Sequence, residues 1–206
     1  MTEWRKEEIF IVGKTYPTPH ERYLDTVCTG GVTGDGEWIR LYPISFRYLE
    51  GDQQYHMYSW MRAEVRRNRR DRRLATHEVN ESSIIVIEEV KDWRERRRIL
   101  LPLLDPHLED LESRNQEDPS VVSMGLVEIE YIEFYWEKTD RQWNPEQLAY
   151  MRQIELIGPK RKPLEKIPYK LRLKFRCKGN PACKGHDKGL FAWEYSEAFR
   201  KFRARY

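Results

Sequence analysis

Apolar residues in this chain fall into short runs punctuated by glycine and proline. Glu8-Ile-Phe-Ile-Val12 reads as a buried strand, and the proline-containing segment Gly13-Lys-Thr-Tyr-Pro-Thr-Pro-His20 as an extended loop. Tyr23 to Thr29 predicts a second strand, closed by Gly30 and Gly31. Gly34-Asp-Gly36 is a turn signal, and the aromatic and β-branched content of Glu37-Trp-Ile-Arg-Leu-Tyr-Pro-Ile44 predicts a strand beyond it, making an antiparallel hairpin. Phe46 to Leu49 reads as a short helix. Tyr55 to Ala63 reads as a strand running into an arginine block, and Ser83 to Ile87 as another strand. Asp92 is placed to cap a helix carrying Trp93, Ile99, Leu100 and Leu103.

The second half repeats both periodicities. Val121 to Glu137 alternates with a period of two. Asn144-Pro-Glu-Gln147 is a helix start, with Asn144 as cap and Pro145 at the first position, followed by an apolar stripe of Leu148, Met151, Ile154 and Leu156. Tyr169, Leu171, Leu173 and Phe175 alternate with Lys170, Arg172, Lys174 and Arg176, the clearest amphipathic strand in the protein. Phe191, Tyr195, Phe199, Phe202 and Tyr206 follow helical spacing, with cations toward the C-terminal end where they favour the helix dipole. The pattern predicts an α+β protein over residues 1–206: a single compact domain with an antiparallel or mixed, partly closed sheet, a C-terminal helix and a zinc-knuckle-like Cys/His turn.

Composition adds compartment and charge. No apolar run approaches the ~20 residues that span a bilayer, and the N-terminal residues lack the apolar core of a secretion signal. A cytoplasmic location away from membranes is expected. The formal charge of +3 conceals strong clustering. Residues 62 to 73 hold seven arginines (Arg62, Arg66, Arg67, Arg69, Arg70, Arg72, Arg73) against two acids, so this segment carries +5 and the remainder −2. Smaller basic groups lie at 94–98, 160–162 and 200–205, opposed by an acidic belt from Asp105 to Asp118. Arginine offers a planar fork for phosphate, and clustered arginines repel one another until a phosphate backbone neutralises them. The block thus reads either as a solvated helix face or as a nucleic-acid contact, DNA or RNA. Arg40, Lys170, Arg172 and Lys174 are further candidates. Acidic belt and arginine block are also complementary surfaces for a protein partner.

The densest chemistry is Cys177-Lys-Gly-Asn-Pro-Ala-Cys183-Lys-Gly-His186, which gathers two of three cysteines and one of five histidines around a turn. Structural zinc takes four N or S ligands. This segment supplies three, and Cys28 is the one remaining cysteine. The expected site is Cys28, Cys177, Cys183 and His186, holding zinc or, alternatively, an iron–sulfur cluster. A Cys177–Cys183 disulfide is the competing reading.

Gly13-Lys-Thr-Tyr-Pro, Thr26-Val-Cys-Thr-Gly-Gly, Glu37-Trp-Ile-Arg-Leu-Tyr-Pro, Pro163-Leu-Glu-Lys-Ile-Pro-Tyr and Cys177-x5-Cys183-x-Gly-His186 with Trp193-Glu194 beyond it resemble a family of uncharacterised prokaryotic proteins over nearly the whole chain. No established activity comes with that resemblance. It implies one domain rather than two, and a metal site shared across the family.

Other motifs are weaker. Gly13-Lys-Thr lacks the upstream glycine of a phosphate loop, and Tyr16-Pro17 would interrupt the helix it requires. Lys14, Tyr16 and His20 near Cys28 could line a pocket for an anionic ligand, with Trp38, Arg40 and Tyr42 as a base-stacking platform or as core residues covering the Arg40 stem. Glu128 and Glu130, with Asp92 or Glu194, are the carboxylates available for a nuclease-like metal ion. The leading expectation is a nucleic-acid-binding protein with a structural metal. The alternatives are a nucleic-acid- or nucleotide-processing enzyme and an iron–sulfur redox or sensing protein.

Overall fold

The computed structural model describes residues 3–19, 25–157 and 164–203, with the side chains of 153–157 outside the description. The expected roles of His20, Ile154, Leu156, the 160–162 cations, Arg205 and Tyr206 lie outside the described residues.

Six strands form the first sheet: β1 (Arg5–Lys14), β2 (Val27–Thr33), β3 (Trp38–Ile44), β4 (Ser59–Arg67), β5 (Thr76–Val79) and β6 (Ile85–Glu89). Their order is β1-β2-β3-β5-β4-β6, and an added β1–β4 ladder partly closes the first five into a barrel. The β1 strand serves two partners. Its first half, Arg5 to Phe10, pairs with β4, and Ile9 to Lys14 pairs with β2. The meander β1-β2-β3 followed by a fourth strand returning beside the first is a Greek key. The β5 strand then fills the gap, parallel to β3 and antiparallel to β4. Ile9, Ile11, Val27, Ile39, Leu41, Met61, Ala63 and Val65 point inward, as their two-residue spacing dictates, with Phe46 and Tyr55 from the β3–β4 connection.

The Gly34–Gly36 hairpin turn forms as expected, with Gly36 at φ 84°. Gly30 and Gly31 differ from expectation: they lie inside β2 and do not end it. A Cβ on Gly31 would stand 2.6 Å from Ile9 Cγ2 and 2.8 Å from the Phe10 carbonyl, so the glycine permits close approach to β1 where the barrel curves. In β3, Trp38, Arg40 and Tyr42 share the outer face, whereas Ile44 turns into the core. An extra β3 residue between the Thr29–Leu41 and Val27–Ile44 pairs shifts the alternation.

The arginine block is half strand and half turn: residues 62 to 67 complete β4, and 68 to 75 form the β4–β5 loop. After β6, Asp92 accepts a hydrogen bond from Arg94 N and caps α1 (Trp93–Leu100). The acidic belt contains α2 (Leu108–Glu117).

A second sheet of β7 (Ile129–Lys138), β8 (Tyr169–Cys177) and β9 (His186–Leu190) is antiparallel in that order. A reciprocal capping box between Asn144 and Gln147 starts α3 (Pro145–Ile157). The chain's last described element, α4 (Trp193–Arg203), returns to the barrel. Its Trp193 ring lies 5.3 Å from Phe46, and Glu194 Oε1 lies 3.3 Å from the buried Lys14 Nζ. Thr15 bridges to Ala192, and Tyr16 N donates to Phe191 O. Among the described residues, no helix is long and apolar enough to cross a membrane.

Replacing Gly31 with alanine forces a methyl group against backbone. It is expected to cost about 1–3 kcal/mol of stability, whereas Gly34→Ala, with open space around it, should cost less. Urea unfolding of the two variants measures the difference.

Candidate metal centre

The sequence from Cys177 to His186 builds a knuckle between β8 and β9. Cys177 ends β8, and His186 begins β9 opposite Phe175. Between them the chain reverses through two left-handed glycines, Gly179 (φ 75°) and Gly185 (φ 95°), conformations that side-chain-bearing residues adopt at a cost. Asn180 N donates to Cys177 O, and Cys183 N to Asn180 O. These turns bring the two thiols to the same side.

Four donor atoms converge there: a carboxylate oxygen of Glu109, the sulfurs of Cys177 and Cys183, and Nε2 of His186, all within 4.8 Å of one another. His186 Nε2 lies 3.5 Å from Cys177 Sγ, 3.4 Å from Cys183 Sγ and 3.1 Å from Glu109 Oε1. Cys177 Sγ is 3.2 Å from Glu109 Oε2. A tetrahedron with zinc-type bond lengths has edges of roughly 3.3 to 3.8 Å, so these separations approach those of ligands around one ion. Cys177 and Cys183 are buried, at 2% and 7% exposure, whereas the Glu109 side chain is 40% exposed and closes the group on its solvent side. Cys177 N donates to Cys183 Sγ, and Leu108 N to Cys177 Sγ. Such N–H donors favour sulfur as thiolate.

Hydrogen bonds join these donors to one another. Burial pushes the Cys177 thiol up to about 11. The Glu109 carboxyl is held down to about 2, chiefly by hydrogen bonding from the Cys183 thiol. A divalent cation would replace these thiol protons with its own charge.

The fourth donor differs from the expected one. Cys28 stands on β2, where its backbone exchanges hydrogen bonds with Thr15 and its thiol faces Arg40 and Arg73. It does not belong to the group at the knuckle. Glu109 takes that place because α2 starts beside β8, with Leu108 N on the Cys177 sulfur. All three thiols are free.

Of the expected phosphate-binding arginines, several have intramolecular partners. Arg62 pairs with Glu8, and Arg66 pairs with Glu78 and lies over the Trp4 ring. Arg67 donates to carbonyls of Asn68, Asp71, Arg72 and Thr76, shaping the β4–β5 loop from within. Asp71 receives both Arg40 and Arg73, and the Arg73 hydrogen bond pulls its carboxyl well below the usual range. Arg69, Arg70 and Arg72 are exposed and have no ion-pair partner among the described residues. On the polar face of β8, Arg172 is bound to Asp187 and Lys174 to Glu133, while Lys170 is exposed.

The expected small-ligand pocket does not gather its residues. Lys14 is buried among Phe46, Tyr55 and Trp193, and Tyr16 donates to Glu165 O. Arg40 lies 5.0 Å from the Tyr42 ring centre. Trp38 lines a different, smaller cavity with Leu74, Val121 and Met124. The nuclease carboxylates are also apart in function: Glu128 pairs with Lys178, and Glu194 with Lys14.

Two family models match the chain, each described as a domain of unknown function: residues 5–102 match DUF8758 and residues 105–206 match DUF8757. The first match ends and the second begins between α1 and α2, so the knuckle and Glu109 lie together in the second. No curated protein and no solved structure matches the chain.

Cys177→Ser is expected to abolish metal uptake, whereas Glu109→Ala should retain one site with affinity lowered at least tenfold. Titration against a chromophoric chelator distinguishes these outcomes. Because the thiols must lose protons to bind, affinity in the unaltered protein should rise with pH.

Proposed function

We propose that this is a cytosolic nucleic-acid-binding protein whose metal is a structural zinc ion, and that the β4–β5 loop supplies the principal phosphate contacts. The observation that carries this reading is the division of labour in the arginine block. Arg67 and Arg73 hold the loop's shape, leaving Arg69, Arg70 and Arg72 exposed and unneutralised on it. Three like charges on a short, internally braced turn favour a polyanion, because binding releases counterions.

The barrel's connectivity supports the same surface by analogy of fold. Five-stranded, partly open Greek-key barrels of the OB type bind oligonucleotides through the face of strands two and three and the loops joining strands one to two and four to five. Here the arginines occupy the four-to-five loop. Arg40 on β3 is linked to that loop through Asp71.

Two buried thiols, an imidazole and a carboxylate suit zinc, whereas iron–sulfur clusters are held mainly by cysteine thiolates. Cys177 and Cys183 are buried, which favours a structural role. It ties α2 to the β8–β9 turn.

Replacing Arg69, Arg70 and Arg72 together with alanine should weaken single-stranded oligonucleotide binding. It should also reduce the slope of log K against log salt by about 2, at roughly 0.7 per phosphate contact. Arg66→Ala, which removes an arginine already paired with Glu78, should leave the slope unchanged. Fluorescence anisotropy across a salt series measures both, and an unaltered slope in the triple variant would sink the assignment.

A further inference from the structure

A cleft of about 1040 Å³ lies between the chain leaving β1 and the second sheet. Thr15 to Thr18 form one wall. The start of β8, the end of β9 and the 138–143 segment form the others. The Thr15–Ala192 bridge and the Tyr16 N to Phe191 O hydrogen bond join the two sides. This volume is at the upper end of the ~300–1,000 Å³ usual for small-molecule sites.

The lining combines flat apolar rings with excess positive charge. Trp143, Tyr169 and Phe191 contribute aromatic surface, and Phe191 is 73% exposed. Among the described residues, the lining cations are Lys138, Lys166, Lys170 and Arg172, against one carboxylate, Asp140. Two of the four are engaged: Arg172 pairs with Asp187, and Lys166 donates to Gln142 O and lies 5.8 Å from the Trp143 ring centre. Lys138 and Lys170 are exposed and have no ion-pair partner among the described residues.

We infer that this cleft binds a nucleotide, its base against the aromatic lining and its phosphate at one of the two unpaired lysines: Lys138, which shares the Tyr169 face of the second sheet, or Lys170 on the opposite face. Aromatic rings stack on any base, since every base has a π face, and unpaired ammonium groups recognise phosphate as point charges. A neutral sugar would use the rings but leave the cations uncompensated. A bare phosphate would use the cations but leave the rings exposed. The nucleotide can be free in solution or one unit of a strand. Thr15, which lines the cleft, is tied to the barrel: its N–H donates to Cys28 O and its Oγ1 accepts from Cys28 N, beside Arg40. The inference nonetheless goes beyond the arginine-loop reading and stands without it.

Calorimetry with adenosine and uridine monophosphates, and anisotropy with a labelled oligouridylate, test the site in the 206-residue chain. The probes are the unaltered protein, the Lys138→Ala/Lys170→Ala double variant, Phe191→Ala, and the triple arginine variant. Both lysines and Phe191 are exposed, and thermal melting checks that each variant folds. At least a tenfold loss of monophosphate affinity in the lysine and Phe191 variants identifies a free-nucleotide site. The same loss for the oligonucleotide alone identifies a strand-unit site. Unchanged affinities, no binding of either probe, or competition by inorganic phosphate as strong as by the monophosphates would overturn the inference. The triple arginine variant reads the barrel surface separately, so the two proposals fail independently.

Discussion

The barrel closes because β1 belongs to two ladders, β4 along its first half and β2 along its second. One strand in two pairings must bend, and its neighbours must come close where it does. Gly31 meets that demand against Ile9 and Phe10. Closure then fixes where β4 ends and how β5 enters beside β3, and it is this entry that folds the arginine block into a loop braced by Arg67. Arg69, Arg70 and Arg72 thus owe their exposure to the way β5 enters beside β3.

Where β1 ends, the same strand controls the join to the second half of the chain. Lys14 is only 4% exposed, and burial lowers its pKa, opposed by Glu194. Its ammonium lies 4.7 Å from the Phe46 ring centre and 5.7 Å from that of Trp193. An ammonium removed from water requires such compensation, and among the described residues α4 provides the carboxylate, Glu194. That requirement specifies how α4 docks, and the docked helix contributes Ser196 to the lining of the cleft beside β8 and β9. Local charge pairing therefore acts here as an alignment device between two regions matched by separate family models.

The distribution of charge separates structure from function more clearly than its total does. Arginines with carboxylate or carbonyl partners shape the protein, and those without remain available to a ligand. A net charge of +3 conceals both classes.

Sequence alone determined what depends on neighbouring residues. The apolar run of β1, the aromatic and β-branched content of β3, the period-two alternation of β8, the caps at Asp92 and Asn144, the Gly34–Gly36 turn and the Cys177–His186 knuckle all arise from interactions within a few positions, and their signals are legible. Gly30 and Gly31 read as a strand end because glycine's local preference is for turns; the close approach that keeps them in a strand comes from β1. The β5 strand is four residues long, too short for a periodic signal, and exists because β3 and β4 present open edges to it. Glu109 carries no distinguishing spacing among the acids of its belt, whereas Cys28 stood out by residue type alone. Tertiary structure decided between them, since a ligand set is defined by convergence in space: α2 begins at the knuckle, and β2 holds Cys28 against Arg40 instead.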